Sequence, residues 1–269
     1  MTGHRNPSLE ARLEDYVAFS EKGRIAVSSF LTPGERKQAE RFLIARGCAD
    51  RAIFWGGYAE AERTCLFLLP DFYAEIEGLM PPPSTDPAET LSELDGDAVV
   101  AVRIRGSGFR VLSHRDYLGS LLGLGIERDA IGDIAVQSDC EAVTFCRRSL
   151  LPFLIQHFTK VASDAVRCSE TALTEAFTDG KRYEPISDTV ASPRLDCVVA
   201  ALTNLSREDA QQAVRTGLVE VDFELEERTD RILTPPATVS VRGHGRFILR
   251  TFDGETRKGR LRLRADKLV

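Results

Sequence analysis

Three side chains near the middle of the 269-residue chain carry the groups of acid–base catalysis: His114, Asp116 and Asp133. An imidazole and two carboxylates on polar, glycine-flanked segments are enough to move a proton. The surrounding signals do not build a site around them. His114-Arg115-Asp116 reads like a kinase catalytic loop, but that loop needs Asn five residues after its Asp, and Leu121 stands there. Gly106-Ser107-Gly108 lacks the third glycine of a dinucleotide fingerprint, and no G-x-x-x-x-G-K-[ST] occurs. The histidines at 4, 114, 157 and 244 have no ligand spacing, and His157 sits with Leu154 and Phe158 on an apolar helix. The cysteines at 48, 65, 140, 146, 168 and 197 form no C-x-x-C pair and read as reduced core residues. Asp116 at a helix start and Asp133 at a strand entry have ordinary structural readings. The expectation is a chain with no metal, no cofactor and no catalytic residues. The rival is an enzyme that works through His114, Asp116 and Asp133.

A second chemistry is phosphate contact. Arg207, Gln211 and Arg215 stand four apart and stack on one side of a short helix, opposite the apolar stripe Ala210, Ala213 and Val214. An isolated arginine stripe is usually a solvated face, so its charge context matters. The formal charge is -6, which excludes a protein that coats nucleic acid wholesale. From 194 to 269, however, 14 Lys plus Arg stand against 12 Asp plus Glu, and from 242 to 267 the balance is 9 against 3. A local basic block on an acidic protein fits docking at a specific RNA site. The predicted contacts are Arg194, Ser206, Arg207, Gln211, Arg215, Arg242, Arg246, Arg257, Lys258 and Arg260. The acids Glu220, Asp222, Glu224, Glu226 and Glu227 should weaken the attraction.

The elements that must position these residues are legible in outline. Leu195, Val198, Val199 and Leu202 repeat at helical spacing; Ser206 then caps a second helix, with Asp209 three residues on. Gly217 ends that helix, and Leu218, Val219 and Val221 begin a strand. Val239, Val241, Phe247, Leu249, Leu261 and Leu263 alternate as half-buried strands with arginines outward. Gly243 and Gly245 fit a tight turn or a close approach to phosphate equally well.

Upstream, strands over 98–105, 131–137, 142–147 and 165–168 and helices over 113–122 and 150–161 give the split β-α-β order of a ferredoxin-like α-β plait. Val100, Val102 and Ile104 alternate with Ala101, Arg103 and Arg105, so one face of the first strand is apolar and the other basic. Phe145 with Arg147 could stack a base on that open face, although Phe145 packed in the core with Val143 is the plainer reading. Nearer the start, Leu9, Leu13, Tyr16 and Val17 mark a helix, and Thr32-Pro33-Gly34-Glu35 opens another. Segments 52–55 and 64–69 form a hairpin across Gly56-Gly57. The proline run 81–87 marks a boundary, and 179–193 reads as a polar linker. The predicted class is α+β in three domains: a small N-terminal α/β domain over 1–80, the plait over 88–180 and a C-terminal domain over 191–269.

Arg194-Leu195-Asp196, Leu205-Ser206-Arg207 followed by Ala210, and Gly217-x-Val219-x-Val221 resemble the α-L RNA-binding motif of S-four-type domains. The resemblance implies that the polar face of the second helix lies against folded RNA. Gln211 and Gln212 stand where that family often has Lys or Arg, and Asp222 where Asn is usual. A wider resemblance is carried by His114-Arg115-Asp116-Tyr117-Leu118-Gly119, by Leu122-Gly123-Leu124-Gly125-Ile126-x-Arg128 and by Gly132-Asp133-Ile134. Phe30-Leu31-Thr32-Pro33 and Gly56-Gly57-Tyr58-x-x-Ala61-Glu62-Arg63 complete it, and together they look like the YlmH family of S-four-domain proteins. That resemblance implies the plait, the C-terminal S-four domain and RNA binding without known chemistry. Small S-four relatives associate with the large ribosomal subunit and peptidyl-tRNA during rescue of stalled translation. The partner it implies is structured RNA, rRNA or tRNA on the ribosome, in translation quality control or in connection with cell division. No apolar run reaches the roughly 20 residues that span a bilayer, and the N-terminus lacks a signal-peptide core. A soluble cytoplasmic monomer with no membrane partner is expected.

Overall fold

The computed structural model describes residues 7–72, 99–174 and 177–269. The proline run and the expected domain end near residue 80 lie outside them. The chain divides into two compact units, Met1–Gly180 and Lys181–Val269. Among the described residues no helix is long and apolar enough to cross a membrane.

In the first unit, helix α1 spans Leu9–Ser20 and helix α2 spans Pro33–Ala45. The predicted start of α2 is a full capping box: Glu35 N donates to the Thr32 hydroxyl at 3.2 Å, and Thr32 N donates to Glu35 Oε2 at 2.8 Å. Strands β1 (Ala26–Val27), β2 (Ala52–Trp55) and β3 (Cys65–Leu68) form an antiparallel sheet in the order β1-β3-β2. Every residue of β3 is buried because both sheet faces are covered. Leu66 and Leu68 pack with Leu13, Ala39 and Leu43 of the helices. Cys65 and Phe67 pack the other way, with Phe30, Trp55, Ala101, Val143 and Phe145.

The last three of those residues belong to a second sheet. It comprises β4 (Val99–Gly106), β5 (Ile131–Ser138), β6 (Glu141–Arg147), β7 (Lys160–Val161) and β8 (Asp164–Thr171), ordered β5-β6-β4-β8-β7 with antiparallel neighbours. Helix α3 (His114–Gly123) connects β4 to β5, and helix α4 (Leu151–His157) follows β6. Val100, Val102 and Ile104 face Tyr117, Leu121, Leu154 and Phe158, as their alternation requires. The helix read over 150–161 stops at His157. Phe158 and Val161 are both buried, so the apolar period continues, but β-branched Val161 already belongs to a hairpin with β8.

The second unit opens with β9 (Tyr183–Val190), which corrects the reading of 179–193 as a linker. β9 pairs with β14 along its whole length, from Tyr183 opposite Leu268 to Val190 opposite Leu261. It is an edge strand of mostly polar residues, the one position in a sheet where Pro185 is tolerated. Helices α5 (Leu195–Thr203) and α6 (Arg207–Arg215) follow. Strands β10 (Val219–Val221), β11 (Glu224–Leu225), β12 (Ala237–Val241), β13 (Gly245–Glu255) and β14 (Leu261–Leu268) complete a six-stranded antiparallel sheet ordered β11-β10-β12-β13-β14-β9. Leu195, Val198, Val199, Ala210 and Val214 share one core with Val239, Phe247, Leu249 and Leu263. The alternate strand residues, including Arg262 and Arg264, therefore point outward and are exposed.

Candidate nucleic-acid interface

Asp196 is the centre of the α5–α6 face. It lies in the first turn of α5 with no exposed surface. Arg194 meets it as a fork, Nε to Oδ1 at 3.1 Å and Nη2 to Oδ2 at 3.2 Å. From α6, Gln211 Nε2 donates to Oδ2 at 2.8 Å and Arg207 Nη2 at 3.4 Å, and the Cys197 amide donates to Oδ1 at 2.9 Å. Burial alone would raise the carboxyl, but hydrogen bonds from Arg194 and Gln211 and the Arg194 charge hold it well below the usual carboxylate range. Three predicted contacts, Arg194, Arg207 and Gln211, are thus gathered on one anion. The Arg207 side chain keeps 57% of its surface in solvent, so Asp196 fixes its position and leaves most of the guanidinium open. Sequence reasoning met Asp196 only as a motif residue. The missed signal is an acid on the first turn of an otherwise apolar helix, a position buried only when cations come to it.

The remaining predicted contacts fall into separate groups. Ser206 works as the cap of α6, accepting from Asp209 N at 3.1 Å and donating to Asp209 Oδ2 at 2.7 Å. Arg215 is exposed in the last turn and has no ion pair among the described residues. Beyond Gly217, at φ +69°, a groove of about 320 Å³ is lined by Leu218, Glu220, Ser240, Arg242, Gly243 and Arg246. Arg242 is exposed there, and the Arg246 guanidinium lies 5.1 Å from the Phe223 ring centroid. Gly243 and Gly245 take φ +84° and +113°, and His244 N donates to Val241 O at 2.9 Å, the geometry of a tight turn. Arg257 and Lys258 are exposed on the β13–β14 turn, and Arg260 donates from Nε to the Thr189 hydroxyl at 3.0 Å. Two of the acids expected to oppose phosphate are engaged, Glu226 by Arg231 Nη1 at 2.8 Å and Asp222 by Thr238 N at 2.8 Å.

Two of the acid–base candidates of the first unit, Asp116 and Asp133, are engaged in structural hydrogen bonds. Asp116 completes the capping box of α3, its Oδ2 accepting from Ser113 N at 2.9 Å and from the Ser113 hydroxyl at 2.7 Å. Those bonds lower its pKa. Asp133 accepts from the Tyr58 hydroxyl at 2.9 Å, Glu62 N at 2.7 Å and Arg63 N at 3.2 Å. Burial, together with the Asp133 carboxylate, pushes the Tyr58 phenol far up. Arg128 Nη1 donates to Ile131 O at 2.6 Å and Gly132 O at 3.1 Å; burial and the Arg63 cation push it down to about 10. Desolvation and Arg128 depress the His114 imidazole, against the pull of Asp133. Phe145 is fully buried and stacks on Tyr58 at 5.0 Å, so it offers no surface to a base. Gly57, at φ +102°, lies so close that a Cβ there would sit 2.2 Å from Phe145 Cδ1. The segments around Phe30, Gly56–Arg63, Arg128 and Asp133 therefore meet in one place.

Comparison with known proteins gives three likenesses. The family described as "Putative RNA-binding domain in YlmH" matches residues 99–175. The chain is also 30% identical over 257 residues, 95% of its length and 92% of the relative's, to the "Ribosome-associated protein quality control protein P2" of Bacillus subtilis. A solved structure, "Cell division protein ylmH from Streptococcus pneumoniae", is similar over 66% of this chain and 100% of that one, with 16% identity and a TM-score of 0.47. On the strength of the full-length relative, the chain belongs to the YlmH family.

Proposed function

We propose that this chain is a non-enzymatic RNA-binding protein that docks on structured RNA, rRNA or tRNA, as part of ribosome-associated quality control. The observation that carries this reading is the Asp196 cluster, which holds Arg194, Arg207 and Gln211 in one place on the face that also carries the exposed Arg215. Cations positioned before RNA arrives lose little conformational freedom on binding. Phosphate contacts then supply affinity, and the shape of the helix pair supplies selectivity. Residues 191–269 are read as the S-four-type domain, with β9 added to its sheet. The central segment, over 88–180, is read as the plait, a reading supported by the strand order β5-β6-β4-β8. The small N-terminal α/β domain, over 1–80, then covers one of its faces. The family description and the printed name of the relative point the same way. Against the enzymatic rival, Asp116 and Asp133 are both engaged in bonds that hold the fold. Crosslinking the protein to RNA in cells and sequencing the attached fragments tests the proposal. Enrichment of rRNA or tRNA is expected, and recovery of neither would contradict it.

A further inference from the structure

Residues 99–175 match a family described as RNA-binding, yet their sheet has no aromatic face free. Helices α3 and α4 cover one side, and Phe30, Trp55, Phe67 and Tyr58 bury Phe145 on the other. One aromatic of the segment is nonetheless fully offered to solvent. Phe109 is 96% exposed, on the loop 107–113 that joins β4 to α3.

That loop is tightly held. Ser107 N donates to Asp164 Oδ2 at 3.1 Å, the Ser107 hydroxyl also donates to Asp164, and Asp164 is buried. Phe109 N donates to the Ser107 hydroxyl at 3.3 Å, and Arg110 Nη1 donates to the Ser163 hydroxyl at 3.0 Å. Leu112 is buried, and its amide donates to Asp139 O at 2.7 Å. Gly108, at φ +86°, makes the left-handed turn just before Phe109. A ring kept in water on a fixed loop loses little freedom when it stacks on a flat partner.

Charge selects the partner. Arg110 follows Phe109 directly and is exposed. Arg105 and Arg167 face each other directly across β4 and β8, two residues before the loop begins, and both are exposed. Arg105 is paired with Glu141 at 3.0 Å; among the described residues Arg110 and Arg167 have no ion pair. An exposed aromatic next to one such cation, with a second on the strand beside the foot of its loop, matches a polyanion that carries flat bases. An apolar peptide would use Phe109 and leave those cations unanswered.

We infer that the loop 107–113 is a contact for single-stranded RNA, in which Phe109 stacks on an unpaired base and Arg110 and Arg167 meet the flanking phosphates. The inference rests on the reading of the chain as an RNA-binding protein and adds a site that the α5–α6 face does not contain. The test is fluorescence anisotropy of the full chain with a labelled oligoadenylate of about ten nucleotides, a size within the range of single-strand sites. A central 2-aminopurine reports stacking. Phe109→Ala should weaken binding by about five- to 150-fold, the range for loss of one base–aromatic stack. Phe109→Trp should keep the affinity and the 2-aminopurine quenching, while Phe109→Leu, which keeps apolar bulk without a ring, should lose both. All three should melt like the wild type, because the side chain lies in solvent. Binding unchanged in Phe109→Ala, or retained in Phe109→Leu as bulk docking would allow, overturns the inference. If the wild type ignores the oligonucleotide but still binds ribosomal subunits, this inference fails and the proposed function stands; if it binds neither, both fail.

Discussion

Asp196 accepts from Arg194, Arg207, Gln211 and the Cys197 amide from a position without exposed surface. Asp196→Asn keeps one acceptor and turns an amide NH₂ toward cations. A loss of about 1.5–3 kcal/mol is expected, the scale of hydrogen bonds to a charged group. Because the folded carboxyl is depressed, its contribution is full above the unfolded pKa of about 3.9 and is lost as pH falls through the lower folded value. Far-UV melts of wild type and variant should differ at neutral pH and converge in acid; identical neutral melts would refute the clustering role. Asp133→Asn should likewise lose about 1–3 kcal/mol, since all three of its partners are donors. Trp55, the only tryptophan, is buried in the adjoining cluster and reports that loss by fluorescence. Asp116→Asn disturbs only an exposed cap and should melt closer to the wild type than Asp133→Asn. Both folded variants should still bind RNA and complement a deletion; binding without complementation would restore the enzymatic reading. The motif residues were legible in the sequence, but their task was not. Glu62 and Asp133 meet across 71 residues, a contact that no local spacing reveals.

At the scale of elements, what could be read was local. The caps at Thr32, Ser113 and Ser206 all form as their own neighbours dictate. What could not be read depended on a distant partner. β9 is a strand because β14 supplies its hydrogen bonds, and α4 stops because Val161 finds β8. The glycines of the 56–63 loop show the same limit. Gly56-Gly57 reads as a turn, yet Gly57 also makes room for Phe145. Gly57→Ala should combine left-handed backbone strain of about 1–3 kcal/mol with overpacking of similar size. Gly125→Ala, at φ +80° with nothing within 4 Å of its Cβ, carries the strain alone. Tryptophan-fluorescence melts should therefore place Gly57→Ala clearly below Gly125→Ala. Equal melting would mean that the ring of Phe145 yields to the new methyl group.

Across the whole molecule, the net charge of -6 conceals an uneven distribution, with the C-terminal arginines concentrated on turns, strand faces and one helix. Composition showed that imbalance, whereas the convergence of Arg194, Arg207 and Gln211 on a single anion needed the fold. The central claim is that the α5–α6 face meets phosphate. Arg207→Gln with Arg215→Glu tests it most directly, since residue 215 is exposed and the Arg207 contact with Asp196, at 3.4 Å, is the longest of that cluster. Both proteins should melt alike to within about 0.5 kcal/mol. Their association with ribosomal subunits is then measured by sedimentation across a salt series. For about four to six phosphate contacts, the wild-type slope of log K against log salt should be roughly -3 to -5, and the variant should bind more weakly with a slope shallower by about two. An unchanged slope and affinity in the folded double variant would show that this face is only solvated and that the RNA contact lies elsewhere.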